Sequence, residues 1–287
     1  MKNSARTARI IGRTFRIILI IVLLGICLLP IYWMVITSFK MQEEIFSVPP
    51  TFFPKKFTVK NYLSIIVGDI SASIKFLTYF KNSIIVAIST VAVTLLLATP
   101  AAYAFSRIPF KGKKNLIYFV LVSQMLPIVI ILIPIYRSFL KLSLVSTYPG
   151  LVLSYMVFTL PFSIWILKGY FDGIPRELDN AAKVDGCTRM QTMIKVILPN
   201  VTPGLTAASI VVFIQSWDEF MISLTLMDKD SMRTLPVGII QSFVGQFTIK
   251  WGEMMAASVI TTIPVVILFM FLSTYLIGGL TAGAVKG

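Results

Sequence analysis

The residues in this sequence that could do chemistry are few. Asp218 and Glu219 form an adjacent acidic pair, with Gln215 and Trp217 just before them, inside a long apolar run. Carboxylates in such a setting bind cations, relay protons or hold a polar substrate, and on the lenient insertion scale each costs at least about 2.5 kcal/mol to place among lipid tails. They are therefore expected to face a bundle interior or an aqueous path, with Trp217 offering an apolar face to a ring; the competing reading is an interhelix hydrogen bond or a span that ends before them. Gln124, beside Pro127, is a second polar residue in an apolar run and a second pathway candidate. Its competing reading, which applies to any such residue, is packing glue between helices. A third group, Glu177, Asp179 and Asp185, lies in a polar loop. The chain has no histidine, which removes the commonest general base and metal ligand, so neither hydrolytic chemistry nor a metal or other cofactor is expected. Cys27 falls in an apolar run and Cys187 in the polar loop, an implausible disulfide pair, and both read as free thiols.

The chain of 287 residues is 56% hydrophobic and only 13% charged. Soluble domains are about 45–50% apolar and about 25% charged, so the chain reads as a membrane protein. Its formal charge of +14 then reads as loop charge facing anionic lipid rather than as a nucleic-acid footprint. Six apolar runs are long enough for helices that cross a hydrocarbon core. They are 17–39, 83–105, 115–136, 150–167, 204–226 and 254–277. The fold class is thus all-α, a polytopic protein with six transmembrane helices. The basic leader (Lys2, Arg6, Arg9, Arg13, Arg16) and the loop with Arg107, Lys111, Lys113 and Lys114 place both termini in the cytoplasm. The domain reading follows: a tail over 1–16, a first span over 17–39, an external loop over 40–82, a core over 83–277, and a tail over 278–287. Pro30, Pro100, Pro127, Pro134, Pro161 and Pro264 are expected to bend their spans. In the external loop, Phe52, Phe53 and Phe57 suit interfacial anchoring or the reception of an external protein.

The polar loop over 174–203 reads as two short helices around a glycine. Pro175 suits a first helical position, Glu177 a first turn, and Asp185-Gly186 a stop. Thr188 with Gln191 forms a capping box. Met190, Met193, Ile194 and Ile197 follow at i, i+3, i+4 and i+7, and Pro199 ends the run.

The stretch from Pro175 to Gly186, followed by Ile197-Leu198-Pro199, resembles the EAA loop of ABC importer permeases. Ala181 and Ala182 match that motif's two alanines, Asp185 and Gly186 its acid and turn glycine, and Leu198-Pro199 its terminal pair. Asn180 stands where the motif has its glutamate and keeps only a neutral acceptor, so that role either moves to Glu177 or Asp179 or weakens. Further blocks, in order, are similar to carbohydrate importer permeases of the maltose permease type. They are Pro30-Ile-Tyr-Trp-Met, Thr37-Ser-Phe-Lys40, Asn82-Ser83, Ala101 to Arg107, Trp217 to Phe220, Thr234 to Gly238 and Gly279 to Gly287. Asp218 replaces the family's usual asparagine. The resemblance implies an ABC type-1 importer transmembrane domain forming half of a pore for an oligosaccharide or polyol in the cytoplasmic membrane of a prokaryote. It implies a second permease subunit, two ATPase subunits that receive the loop 174–203, and an extracytoplasmic sugar-binding protein. No phosphate loop of the G-x-x-x-x-G-K-[ST] type occurs, so ATP hydrolysis belongs to another chain. The competing reading is an ion-coupled secondary transporter using Asp218 and Glu219, although no inverted repeat is evident.

Overall fold

The structure, a computed structural model, describes the backbone of residues 2–67, 75–244 and 249–284, and side chains over 12–67, 75–244 and 249–271. The end of the Gly279–Gly287 block and the leader side chains Lys2, Arg6 and Arg9 lie outside the described residues. The chain is all-α. In order come α1 (Lys2–Ser38), α2 (Gln42–Ile45), α3 (Lys60–Val67), α4 (Phe76–Arg107), α5 (Lys113–Val122), α6 (Ile128–Lys141), α7 (Tyr148–Asp172) and α8 (Glu177–Val184). They continue with α9 (Arg189–Gln191), a π-helical turn (Thr192–Ile197), α10 (Leu198–Asn200), α11 (Thr202–Trp217), α12 (Met221–Leu226), α13 (Leu235–Phe243) and α14 (Trp251–Ala284).

Four helices are long and apolar enough to cross a membrane, and two bent pairs raise that to as many as six. The run over 115–136 is one of the pairs and not a straight span: α5 ends in a 3-10 turn, Ser123–Met125, and α6 departs at 96°. Pro127 is the cap residue of α6. It cannot donate to the preceding turn, and it disfavours helical backbone at Leu126, which is extended. Pro30, Pro100, Pro134, Pro161 and Pro264, by contrast, sit inside continuous helices. The run over 204–226 also breaks. Helix α11 stops at Trp217, and α12 begins at Met221.

Two compact units arise: residues 1–74 with 241–262, and residues 75–240 with 263–287. In the first, the segment after α1 folds back on the helix end. Asn61 Nδ2 donates to the carbonyls of Ser38 and Lys40 at 2.8 and 2.9 Å, satisfying acceptors that a helix C-terminus leaves free. The buried Lys40 ammonium donates to the Thr51 carbonyl and lies 4.6 Å over the Trp33 ring. Phe52 and Phe53 meet Trp33 and Tyr32 edge-on, and Phe57 stacks on Phe39. All three remain largely exposed. Along α1, none of the side chains from Ile17 to Leu29 is buried within this chain.

In the second unit α4 and α7 run parallel, with α11 antiparallel against both. Tyr148 Oη donates to Asn82 Oδ1 at one end, and Ser106 Oγ donates to Asp172 at the other. Between lipid-exposed helices there is no large hydrophobic force, so close packing and hydroxyl contacts hold them. Ala98, Ala102 and Ala208 are fully buried, and the hydroxyls of Thr94 and Thr159 meet at 3.0 Å. A methyl at Gly204 would lie 2.5 Å from the Tyr170 ring, so only glycine lets α11 start there.

At the Asn82 end, the Asp230 carboxylate gathers the Lys75 ammonium, the Tyr79 hydroxyl and the Arg233 guanidinium, each at 2.7 Å. The bond from Lys75, with those from Tyr79 and Arg233, holds this carboxyl below its ordinary value. A lowered acid stabilises the fold above its unfolded pKa, about 3.9. That contribution is lost as pH falls through the lower folded value. Hydrogen exchange across 228–235 should therefore accelerate on acidification below about pH 4, and Asp230→Asn should flatten that response.

Candidate functional site

The polar loop is built almost entirely by local rules. Helix α8 starts at Glu177, with Arg176 as cap, so Pro175 precedes the helix instead of occupying its first position. Glu177 and Asp179 lie in the first turn, where carboxylates suit the helix dipole. At the other end Gly186 adopts φ +78°. Its N–H donates to Lys183 O and that of Cys187 to Ala182 O, the pair of bonds of a Schellman stop. Thr188 and Gln191 then close the expected capping box. Gly186→Ala forces a side chain into left-handed backbone, at a cost of roughly 1–2 kcal/mol. The expected result is fraying of α8, read as faster amide exchange at Gly186 and Cys187.

The second helix differs from the simple spacing. Met193 and Ile197 are buried, but Met190 and Ile194 are 58% and 50% exposed. Pro199 has no N–H, and the N–H of Leu198 reaches back five residues to Met193 O. The extra residue per turn rotates the faces, so Thr192 joins Met193 and Ile197 inside. Pro199 also does not end the helix, which continues to Asn200.

Asp179 and Ala182 face inward, 7% and 3% exposed. The Asp179 carboxylate lies 3.3 Å from Arg107 Nε and accepts from Tyr103 Oη at 3.2 Å. Arg107 also donates to Ile174 O at 2.7 Å. The loop is thus pinned to the end of α4 by a buried ion pair, and Asp179 is not free for a partner. In the sequence Arg107 reads as loop charge and as the end of a family-like block, and no local signal links it to a residue 72 positions away. What remains exposed is Glu177, Leu178, Asn180, Ala181, Lys183 and Val184 on α8 and its cap residue Asp185, with Arg189, Met190, Ile194 and Lys195 among those beyond the glycine. Leu198 is partly buried and Pro199 exposed.

At the opposite end, Asp218 and Glu219 sit at the break between α11 and α12, not inside a helical span. Glu219 accepts the N–H of Ile222 at 2.6 Å and of Ser223 at 3.0 Å, capping α12 with both oxygens. A carboxylate so used offsets its own placement, and it is poorly suited to relay ions. Asp218 and Gln215 are exposed. Trp217 is 1% exposed, stacked on Phe213 and edge-on to Phe80, so its indole offers no open face to a sugar. Gln124 lies in the 3-10 turn before the 96° bend, with Nε2 buried and unbonded. Cys27 is exposed and Cys187 partly so, both free.

Long apolar helices, with a polar helix pair locked to one of them and exposed on its other face, define an all-α multi-pass membrane protein. The chain belongs to the family described as the binding-protein-dependent transport system inner membrane component, whose model matches residues 5–281. It is 39% identical to a trehalose/maltose transport system permease of Thermococcus litoralis, over 97% of this chain and 98% of that one. It is 37% identical to a diacetylchitobiose uptake system permease of Streptomyces coelicolor, over 96% and 98%. Among solved structures it matches a chain of a bacterial ABC transporter that imports alginate, with TM-score 0.80 and 20% identity over 94% and 98% of the two chains. The chain is therefore a multi-pass inner-membrane permease subunit, itself non-catalytic, with the ATPase activity on a separate chain.

Proposed function

We propose that this chain forms half of the pore of an ATP-driven importer for an oligosaccharide or polyol, with six spans and both termini cytoplasmic. Its partners are a second permease subunit, two ATPase subunits and an external sugar-binding protein. One observation carries the coupling role. The helix pair of residues 177–200 presents a face of mixed charge and apolar side chains, Glu177, Asn180, Ala181, Lys183, Val184, Asp185, Arg189, Met190 and Ile194, while its inner face is fixed to the bundle by Arg107 and Asp179. Val184, 88% exposed at the tip of α8, is the kind of small apolar knob that a groove on a partner buries. Closure of the ATPase dimer then moves α8, and the ion pair transmits that movement to α4. Both sites bias one two-state element, which is the physical content of coupling. The names of the relatives, trehalose/maltose and diacetylchitobiose permeases, support a carbohydrate as cargo.

Uptake of labelled maltose, trehalose and diacetylchitobiose into vesicles carrying the assembled complex tests this reading. Uptake should require ATP inside the vesicle and the binding protein outside. Uptake that follows a sodium or proton gradient and ignores ATP would refute it.

A further inference from the structure

A cavity of ≈ 570 Å³ opens where the end of α4 turns into α5. Its walls are apolar at Phe110 and Ile117 and polar at Lys113, Lys114, Asn115 and Lys168. Three lysine side chains therefore line a recess of the size that small ligands occupy. The Lys113 ammonium spends two of its protons on the carbonyls of Ser106 and Ile108, at 3.2 and 3.4 Å, which fixes it in place and leaves a third. Lys168 pairs with Asp172, the acid of this corner, whose other oxygen is held by Ser106. Lys114 is exposed and lies 5.9 Å over the Tyr118 ring. Beyond the lysines α5 continues as a bare apolar surface, with Leu116, Phe119 and Val122 46%, 71% and 58% exposed. Trp165, one turn before Lys168 on α7, is half exposed as well, as tryptophans at a headgroup layer are.

We propose that this recess is a binding site for one anionic phospholipid, its phosphate held by Lys113, Lys114 and Lys168 and its acyl chains lying along α5. Cation excess selects a negative headgroup, and the continuous apolar surface selects a diacyl tail over a free anion. The site depends only on the chain spanning a membrane, and it stands whatever sugar the pore carries and wherever α8 docks. A lipid seated there bridges α5 to α7 beside the Arg107 corner.

The test uses the full chain in its assembled complex, reconstituted in nanodiscs of equal phosphatidylglycerol and phosphatidylcholine and released into mild detergent for native mass spectrometry. One phosphatidylglycerol per copy should be retained in preference to phosphatidylcholine. That preference should fall about fivefold for each lysine removed, while Lys141→Gln leaves it unchanged. Because Lys113 also ties down two carbonyls, Lys114→Gln with Lys168→Gln carries the test if Lys113→Gln fails to assemble. Equal retention of the two lipids, or full retention in the double variant, would overturn the proposal. Ready displacement of the lipid by excess inorganic phosphate would instead assign the recess to a free anion. Protection of Lys114 from a water-soluble acylating reagent in the delipidated complex would assign it to a protein partner.

Discussion

Arg107→Leu should abolish ATP-driven uptake and destabilise the assembled transporter by about 3–5 kcal/mol, the usual cost of stranding one member of a buried ion pair. Arg107 and Asp179 have side chains only 7% and 10% exposed, so water cannot solvate the carboxylate left behind. The same substitution also orphans the Ile174 carbonyl, which Arg107 holds at the point where α7 gives way to the loop. Tyr103→Phe removes only one of the Asp179 bonds and should cost about 1 kcal/mol. The double variant Arg107→Met with Asp179→Leu separates stability from coupling. Apolar replacement of a whole buried pair is often neutral, so thermal unfolding of the complex should recover most of the loss, stopping short of the parent value by the cost of the Ile174 carbonyl and Tyr103 hydroxyl left without partners. Uptake should stay low, because a charge pair fixes one orientation of α8 and two flexible apolar side chains do not. Binding of the ATPase should survive in the double variant, since the exposed face of the loop is untouched. An Arg107→Leu variant that melts and transports like the parent would show that the pair does not anchor the loop.

What could be read in the sequence here is what is decided within one helical turn. Gly186 and the Thr188–Gln191 box are local bargains between neighbouring backbone groups, and the stops and starts of the loop lie where those residues put them. The apolar runs likewise mark helices, because lipid leaves the backbone no other way to satisfy itself. Hydropathy, however, averages over a window and does not see direction. The run over 115–136 stays apolar through a 96° bend at Pro127, and the run over 204–226 stays apolar through the break at Asp218. Spacing rules also assume a constant 3.6 residues per turn. The missing N–H of Pro199 violates that assumption and exposes Ile194 where the pattern buries it. The remaining differences are contacts distant in sequence. Whether Asp179 faces a partner or Arg107 depends on how α4 and α8 meet, and no residue near Asp179 records it.

Asn82→Asp should be as damaging as any single substitution in the second unit, although the two side chains are nearly the same shape. Asn82 is 2% exposed, and each of its polar atoms is committed. Nδ2 donates to the carbonyls of Ser231 and Arg233 at 2.9 and 2.8 Å, and Oδ1 accepts the hydroxyl of Tyr148 at 2.7 Å. Aspartate keeps the acceptor and turns the double donor into an oxygen pointed at two carbonyl oxygens. Each orphaned carbonyl costs roughly 1–3 kcal/mol, and the repulsion adds to that. Tyr148→Phe loses only one bond and should cost about 1 kcal/mol, so the ratio between the two variants reports on the donors and not on packing. The consequence reaches the pore because of what the amide holds. Residues 231 and 233 lead directly into Thr234, whose hydroxyl meets Ser223 at 2.6 Å, and Leu235, whose N–H donates to Ser83 Oγ at 2.8 Å. Ser223 is in turn capped by Glu219 at the α11–α12 break. With the donors gone, this chain of bonds is left with only Tyr79 and Ser83 as its ties to α4. Amides from 227 to 235 should exchange faster by at least tenfold, the factor for about 1.4 kcal/mol, and uptake should fall even where the complex still assembles. Unchanged exchange in that segment would show that Asn82 holds α4 to α7 alone and that the break is secured from elsewhere.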